Sequence, residues 1–235
     1  MPAERFFYPD KLESKKTIEL QDKEFHHLVR VMRAQIGDIV EFVNGQGALA
    51  QGRIESIQKR SLQITLIEVK TFSPPQQKII LAQAIPRPQK LDDIIEKGTE
   101  LGVTHFWLFP GKLSERKELS QSQQNRLRAI SISALKQCGR YWLPQTEIKA
   151  PLKKWSSLEM PFYFGDIRAQ APLFHSVWKK NDHTGFFVGP ESGFHDNEIE
   201  VLESLGACGV KLNPNILRTE TAAILAAGLI AHWQL

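Results

Sequence analysis

The sequence predicts an α/β protein in two parts, a small β-barrel over residues 1–72 and a parallel sheet with covering helices over residues 73–235. Three observations carry this. In the first part, apolar residues alternate with polar ones or flank tight turns, as half-buried strands do. At "FSPPQQK", residues 72–78, paired prolines interrupt any sheet, because proline lacks an amide donor and forces its predecessor into extended geometry. Beyond them, short runs that are apolar on both faces alternate with helical segments, the texture of a buried parallel sheet.

In the first part, "DKEFHHLVRVMR" has the spacing of one helix, with Asp22 as its N-cap. "DIVEFV" and "ALAQGRIESIQ" flank "NGQG", a hairpin turn whose Asn and Gly tolerate positive φ. "SLQITLIEV" alternates as a further strand. In the second part the buried strands are "KIILAQAI", "THFWLFP", "PFYFGD", "TGFFVG" and "CGVKL". Between them lie the helices "PQKLDDIIEKGTEL" and "SQQNRLRAISISALKQC". "VGPESGFHDNEIE" takes a strand into a helix, and "LNPNILRTETA" opens the last helix, with Thr219 as N-cap. Glu220 falls in that helix's first turn, where the dipole favours a carboxylate.

Hydrophobic residues at 42% and charged residues at 24% give an ordinary globular composition with enough apolar mass for a core. Cys138 and Cys208 are too few and too far apart for a zinc knuckle or a disulfide framework, so no metal is expected. The charged opening "MPAERFFYPDK" has no apolar run behind it, and the apolar stretch around residues 221–233 is too short for a bilayer. A cytoplasmic protein is expected. Residues 87–154 hold 13 Lys/Arg against 7 Asp/Glu, and residues 155–235 hold 5 against 9. A basic middle beside an acidic end fits a face for a polyanion such as nucleic acid, or an ordinary solvated surface.

The chemistry is expected in two loops at strand ends, where parallel sheets gather ligands. Gly189 and Gly193 leave the main chain of "VGPESG" open to close approach, and Pro190 stiffens it. No Lys follows the glycines and no G-x-G-x-x-G is present, so a phosphate loop fits poorly. Loops lined by backbone and aliphatic groups suit a flat uncharged heterocycle, such as adenine.

"ERFFY", "HHLVRVMRAQIGD", "IEKGTELGV", "ALKQCGRYWLP", "VGPESG" and "ILRTETA", in that order, resemble the SPOUT class of S-adenosylmethionine-dependent RNA methyltransferases. Within it the resemblance is to the 16S ribosomal RNA uracil-N3 methyltransferase family (RsmE). It implies a C-terminal trefoil knot, a PUA-like barrel that docks RNA, and a homodimer with shared active sites. It also implies methylation of N3 of a specific uridine in the small ribosomal subunit. The sequence departs from the family at Ser192, usually Gly, at His195, usually Ser or Thr, and at Asn215, usually Arg. A left-handed Ser192 would be strained, and His195 is expected to cap less well with Glu198.

For the cofactor, the expected contacts are the main chain of Gly189, Pro190, Glu191, Ser192 and Gly193, with Leu212, Asn213, Ile216 and Leu217. Phe164 and Gly165 form a third loop. The uracil imide holds its proton at neutral pH, so transfer needs a base or a cation to stabilise the anion. Arg218 and Glu220 are the leading catalytic candidates, with Glu191 as the alternative base. Arg5, Arg30, Arg33 and Arg140 are candidate RNA contacts, Arg30 and Arg33 sharing a helix face. Two other readings stay open, ribose 2′-O methylation and an RNA-binding protein without catalysis.

Overall fold

The computed structural model describes residues 5–180 and 183–235, and the backbone alone at Lys23. The chain divides into two compact units. One comprises residues up to Pro74 with Ile132–Leu143, the other Pro75–Ser131 with Pro144–Leu235.

In the first unit, β1 (Arg5–Phe7), β2 (Thr17–Leu20), β3 (Ile39–Val43), β4 (Ala48–Ile57) and β5 (Leu62–Thr71) form a mixed sheet in the order β1-β3-β4-β5-β2. Only β1 and β3 run parallel. Alternation places Phe42, Ala50, Ile54, Leu62, Ile64 and Leu66 inside, a half-barrel of PUA-like type. In the "NGQG" turn, positive φ falls on Gly45 and Gly47. Asn44 contributes its side chain instead, accepting from the amides of Gln46 and Ala48 at 2.8 and 3.1 Å. Side chains at both glycines would collide with Leu143 and Trp142, within 2.7 Å.

The predicted helix over residues 22–33 is not continuous. Helix α1 (Asp22–His26) starts at Asp22, whose φ is 54°, and widens into a π-turn at His27–Val31. The Met32 amide donates to the His27 carbonyl at 3.1 Å, and the turn closes on Arg33 at φ 56°. The wide turn keeps Phe25 and Leu28 in the core and leaves Val31 and Met32 outside.

In the second unit six strands pair, all parallel, in the order β11-β9-β10-β6-β7-β8. They are β6 (Lys78–Ala84), β7 (His105–Phe109), β8 (Gln145–Ile148), β9 (Phe162–Gly165), β10 (His183–Val188) and β11 (Cys208–Val210). One face carries Ile79, Leu81 and Phe186 beneath α2 (Pro88–Glu100) and α6 (Thr219–Gln234). The other buries Ile80, Ala82, Phe162 and Phe187 with Leu202 of α5 (Asp196–Ser204). The alanines of α6 fill the core, where the helix packs on α2. Helix α3 (Gln121–Cys138) divides at Ser131 between the two units, and α4 (Phe174–Val177) is one short turn. Among the described residues no helix is long and apolar enough to cross a membrane, and no cluster could hold a metal ion.

Candidate active site

A cleft of about 530 Å3 opens at the carboxyl ends of β9, β10 and β11, walled by residues 165–168, 188–194 and 210–217. It lies where parallel sheets bind ligands, beside the point where the strand order reverses. Its size suits a nucleoside, and its apolar lining includes Val188, Ile199, Val210, Leu212 and Leu217.

The loop after β10 is a tight turn in which the Gly193 amide donates to the Pro190 carbonyl at 2.9 Å. Gly193 takes φ 76°, whereas Ser192 keeps negative φ, so the departure at Ser192 introduces no left-handed strain. A Cβ at Gly189 would lie 2.9 Å from the Gly193 carbonyl carbon, so the loop closes on itself only around glycine. His195 caps α5 effectively. Its Nδ1 accepts from the Asn197 amide at 3.2 Å, and Glu198 accepts from the His195 amide at 3.1 Å. The other Glu198 oxygen accepts from the Lys112 amide at 2.9 Å, so this buried carboxylate serves two loops.

Thr219 does not cap α6. The cap position is Arg218, with no side-chain bond, and Thr219 is the first helical residue. Its hydroxyl donates to the Gly189 carbonyl at 2.7 Å and accepts from Gln83 Nε2 at 3.0 Å. Gln83, fully buried at the end of β6, also donates to the Gly189 carbonyl at 3.2 Å. These three groups clasp the turn after β10 to the loop that follows β11.

The loop after β9 holds an ion pair whose carboxylate, Asp166, is buried and whose guanidinium, Arg168, is part-exposed. Arg168 donates to both oxygens of Asp166, Nη2 to Oδ2 at 2.7 Å, and reaches Glu203 at 2.6 Å. Gly209 makes room, since a Cβ there would lie 2.7 Å from Asp166 Oδ2. Both Asp166 and Arg168 line the cleft, as does Gly165. Phe164 is wholly buried and does not itself line the cleft, but packs edge-on to Phe194, which does.

The catalytic candidates stand at the rim. Gly189, Pro190, Glu191, Ser192, Gly193, Leu212, Asn213, Ile216 and Leu217 all line the cleft, whereas Arg218 and Glu220 do not. Arg218 is exposed. Glu220, with 13% of its side chain exposed, pairs with Lys90 of α2. Burial pushes the Glu220 carboxyl up, but the Lys90 ammonium, the helix's own amide and the Arg218 charge outweigh it and hold the group below its ordinary value. The Glu191 carboxylate accepts from the Arg87 amide at 2.9 Å, at the start of α2. The first turn of α2 is thereby tied to both loops.

In the first unit, Arg5 is 9% exposed, pairs with Glu41 at 3.2 Å and lies 5.2 Å over the Tyr141 ring. Arg140 is half-buried, and burial draws its guanidinium down from its ordinary value. Lys136 pairs with Glu24 at 2.6 Å. Arg30 and Arg33 are exposed at the π-turn.

Residues 73–231 match the RNA methyltransferase domain family, and residues 20–67 the RNA methyltransferase PUA domain. A ribosomal RNA small subunit methyltransferase E of a Synechocystis strain is 30% identical, over 91% of this chain and 72% of its own. The chain belongs to the RNA methyltransferase family of ribosomal RNA small subunit methyltransferase E. The Buchnera aphidicola member is 27% identical, covering 94% of this chain and 90% of its own. A crystal structure of the Neisseria gonorrhoeae family member, bound to S-adenosyl methionine, superposes with a TM-score of 0.83. That pair is 26% identical, with 98% of this chain and 97% of the other covered.

Sequence reasoning missed Gln83, Asp166, Arg168 and Lys90. For Gln83 and Asp166 a signal was present, a polar residue within or ending a run otherwise apolar on both faces. Lys90 gave none, since its partner Glu220 lies 130 residues away.

Proposed function

We propose that this protein is an S-adenosylmethionine-dependent methyltransferase acting on N3 of a specific uridine in 16S ribosomal RNA of the small ribosomal subunit. It works as a cytoplasmic homodimer, with the threaded C-terminal knot of its class. The observation that carries the reading is the clasped pair of loops around a nucleoside-sized cleft, in a chain of this family.

The cleft fits the cofactor. Its walls are largely aliphatic side chains and glycine-opened main chain, and its two cations are already engaged, Arg168 by Asp166 and Glu203 and Lys211 by the Ala169 carbonyl. S-adenosylmethionine, when bound, supplies a methyl group on a sulfonium. The turn at residues 189–193, with Leu212, Asn213, Ile216 and Leu217, would hold the adenosine, with Gly165 and the Asp166–Arg168 pair completing the cleft wall. Glu220, kept ionised by Lys90, accepts the imide proton, while Arg218 steadies the negative charge on the base oxygens. Glu191 is the alternative base, and it too is engaged, by the Arg87 amide, as Glu220 is by Lys90. Arg30 and Arg33 contact RNA phosphates, and Arg5 and Arg140 stiffen the docking unit from within.

The test is transfer of labelled methyl from S-adenosylmethionine to unmethylated small subunits and to stripped 16S ribosomal RNA, followed by mass analysis of digested nucleosides. The expected product is N3-methyluridine. A ribose-methylated nucleoside would replace this reading with the 2′-O one, and no transfer to either substrate would sink it.

A further inference from the structure

Four of the eleven exposed large apolar side chains among the described residues fall within nine positions of the first unit. Val31 is 68% exposed, Met32 40%, Ile36 66% and Ile39 50%. Such a cluster is unfavourable in water and commonly marks a binding surface. Its backbone is also unusual, since the π-turn and the left-handed Arg33 are both conformations that need surrounding support.

That support is present. The Ala34 amide donates to the Leu28 carbonyl at 3.1 Å, and the Gln35 amide to Asp38 Oδ2 at 2.7 Å. Gly37 donates to the Ile54 carbonyl at 2.8 Å, and Ile54 returns a bond to Asp38 at 3.0 Å. The segment is therefore pinned to β4 and presented as a fixed tip. Ile39 pairs across the sheet with Arg53, also exposed. With Arg30 and Arg33, three exposed guanidinium groups border the apolar tip. Asp38, the one carboxylate in residues 27–40, is held by Gln35.

We propose that Val31, Met32 and Ile36 form an apolar wedge that packs against unstacked bases of the RNA, while Arg30, Arg33 and Arg53 hold the flanking phosphates. The occupant is nucleic acid because the border is cationic while the tip is apolar. That combination matches phosphates around exposed base faces. A wedge of this kind helps separate stacked bases of the bound RNA. The inference rests on the methyltransferase reading for its purpose, but its binding claim can be tested separately.

The test is the combined variant Val31→Ser, Met32→Ser and Ile36→Ser in the full chain. All three positions are exposed, so the fold is retained, with far-ultraviolet circular dichroism and S-adenosylhomocysteine binding as checks. Affinity for stripped 16S ribosomal RNA is measured over a range of salt. The variant is expected to bind roughly tenfold or more weakly at every salt concentration, since apolar contact area is lost. Its salt slope is expected to match wild type, because apolar contacts release no counterions. Arg30→Ala with Arg33→Ala should instead flatten the slope, by roughly 0.7 to 0.9 per arginine.

Wild-type RNA affinity in the serine variant would overturn the proposal. So would unchanged RNA affinity together with loss of a wild-type dimer in sedimentation, which would make the tip an interface between copies. A wild-type protein that binds RNA through the tip but neither binds S-adenosylhomocysteine nor transfers methyl would leave the wedge standing and remove the enzymatic reading.

Discussion

Thr219 shows how a single hydroxyl can serve two loops rather than one helix. It accepts from Gln83 and donates to Gly189, so Thr219→Val should cost about 1–2 kcal/mol of stability, the usual effect of a lost buried hydrogen bond. Thr219→Ser should recover most of that loss, and of S-adenosylhomocysteine affinity measured by calorimetry. A valine variant that binds the ligand as wild type does would mean that the clasp has no part in shaping the cleft. Glu220 supplies a pH prediction. Its folded carboxyl lies below the ordinary value of 4.5, so its contribution is complete above that value and fades as pH falls through the folded one. Glu220→Gln should thus be less stable than wild type at neutral pH, with the difference closing as pH falls below 4.5 and through the lowered folded value. Denaturant titrations at several pH values check this. The glycines and the helix start at Thr219 and Glu220 were legible in the sequence because turns and helix starts have local signatures, though the cap itself falls one residue earlier, on Arg218. The partners Gln83 and Lys90 were not, because such pairing is created by the sheet order.

Among the elements, the turn after β10 is the most constrained. Gly189→Ala brings a Cβ to 2.9 Å from the Gly193 carbonyl carbon, backbone that cannot swing aside. It should cost about 1–3 kcal/mol, in the range of overpacking, and weaken cofactor binding while leaving RNA binding intact. Ligand-induced shifts in melting temperature and RNA anisotropy separate the two effects. In the loop after β9, Arg168→Met should leave Asp166 buried without its partner. Roughly 1–3 kcal/mol of lost stability is expected, less than for a fully buried pair because Arg168 is itself part-exposed. The central strands were legible from runs apolar on both faces. β8, "QTEI", was not, because an edge strand exposed along its length carries no buried pattern. The π-turn at His27–Val31 escaped for a different reason. Its spacing resembles an α-helix, and the sequence does not show that Phe25 and Leu28 are both buried against the barrel around the wider turn.

For the molecule as a whole, the PUA-like unit and the parallel-sheet unit divide the proposed labour between docking RNA and holding the methyl donor. The paired prolines at Pro74 and Pro75 marked the change of texture between them. That Ile132–Leu143 belongs with the barrel was not legible, because Ile132–Cys138 simply continue the helical pattern of α3 and only packing assigns them. Sedimentation of the proposed homodimer should give a species of two 26.7 kDa chains at micromolar concentration, and a monomer there would remove the shared active site from the account. The most direct test of the central claim is a crystal structure of this chain soaked with S-adenosylhomocysteine. Adenosine should lie in the cleft, against the main chain of residues 189–193 on one side and Leu212 and Leu217 on the other. An empty cleft at saturating ligand, or the ligand bound elsewhere, would contradict the account.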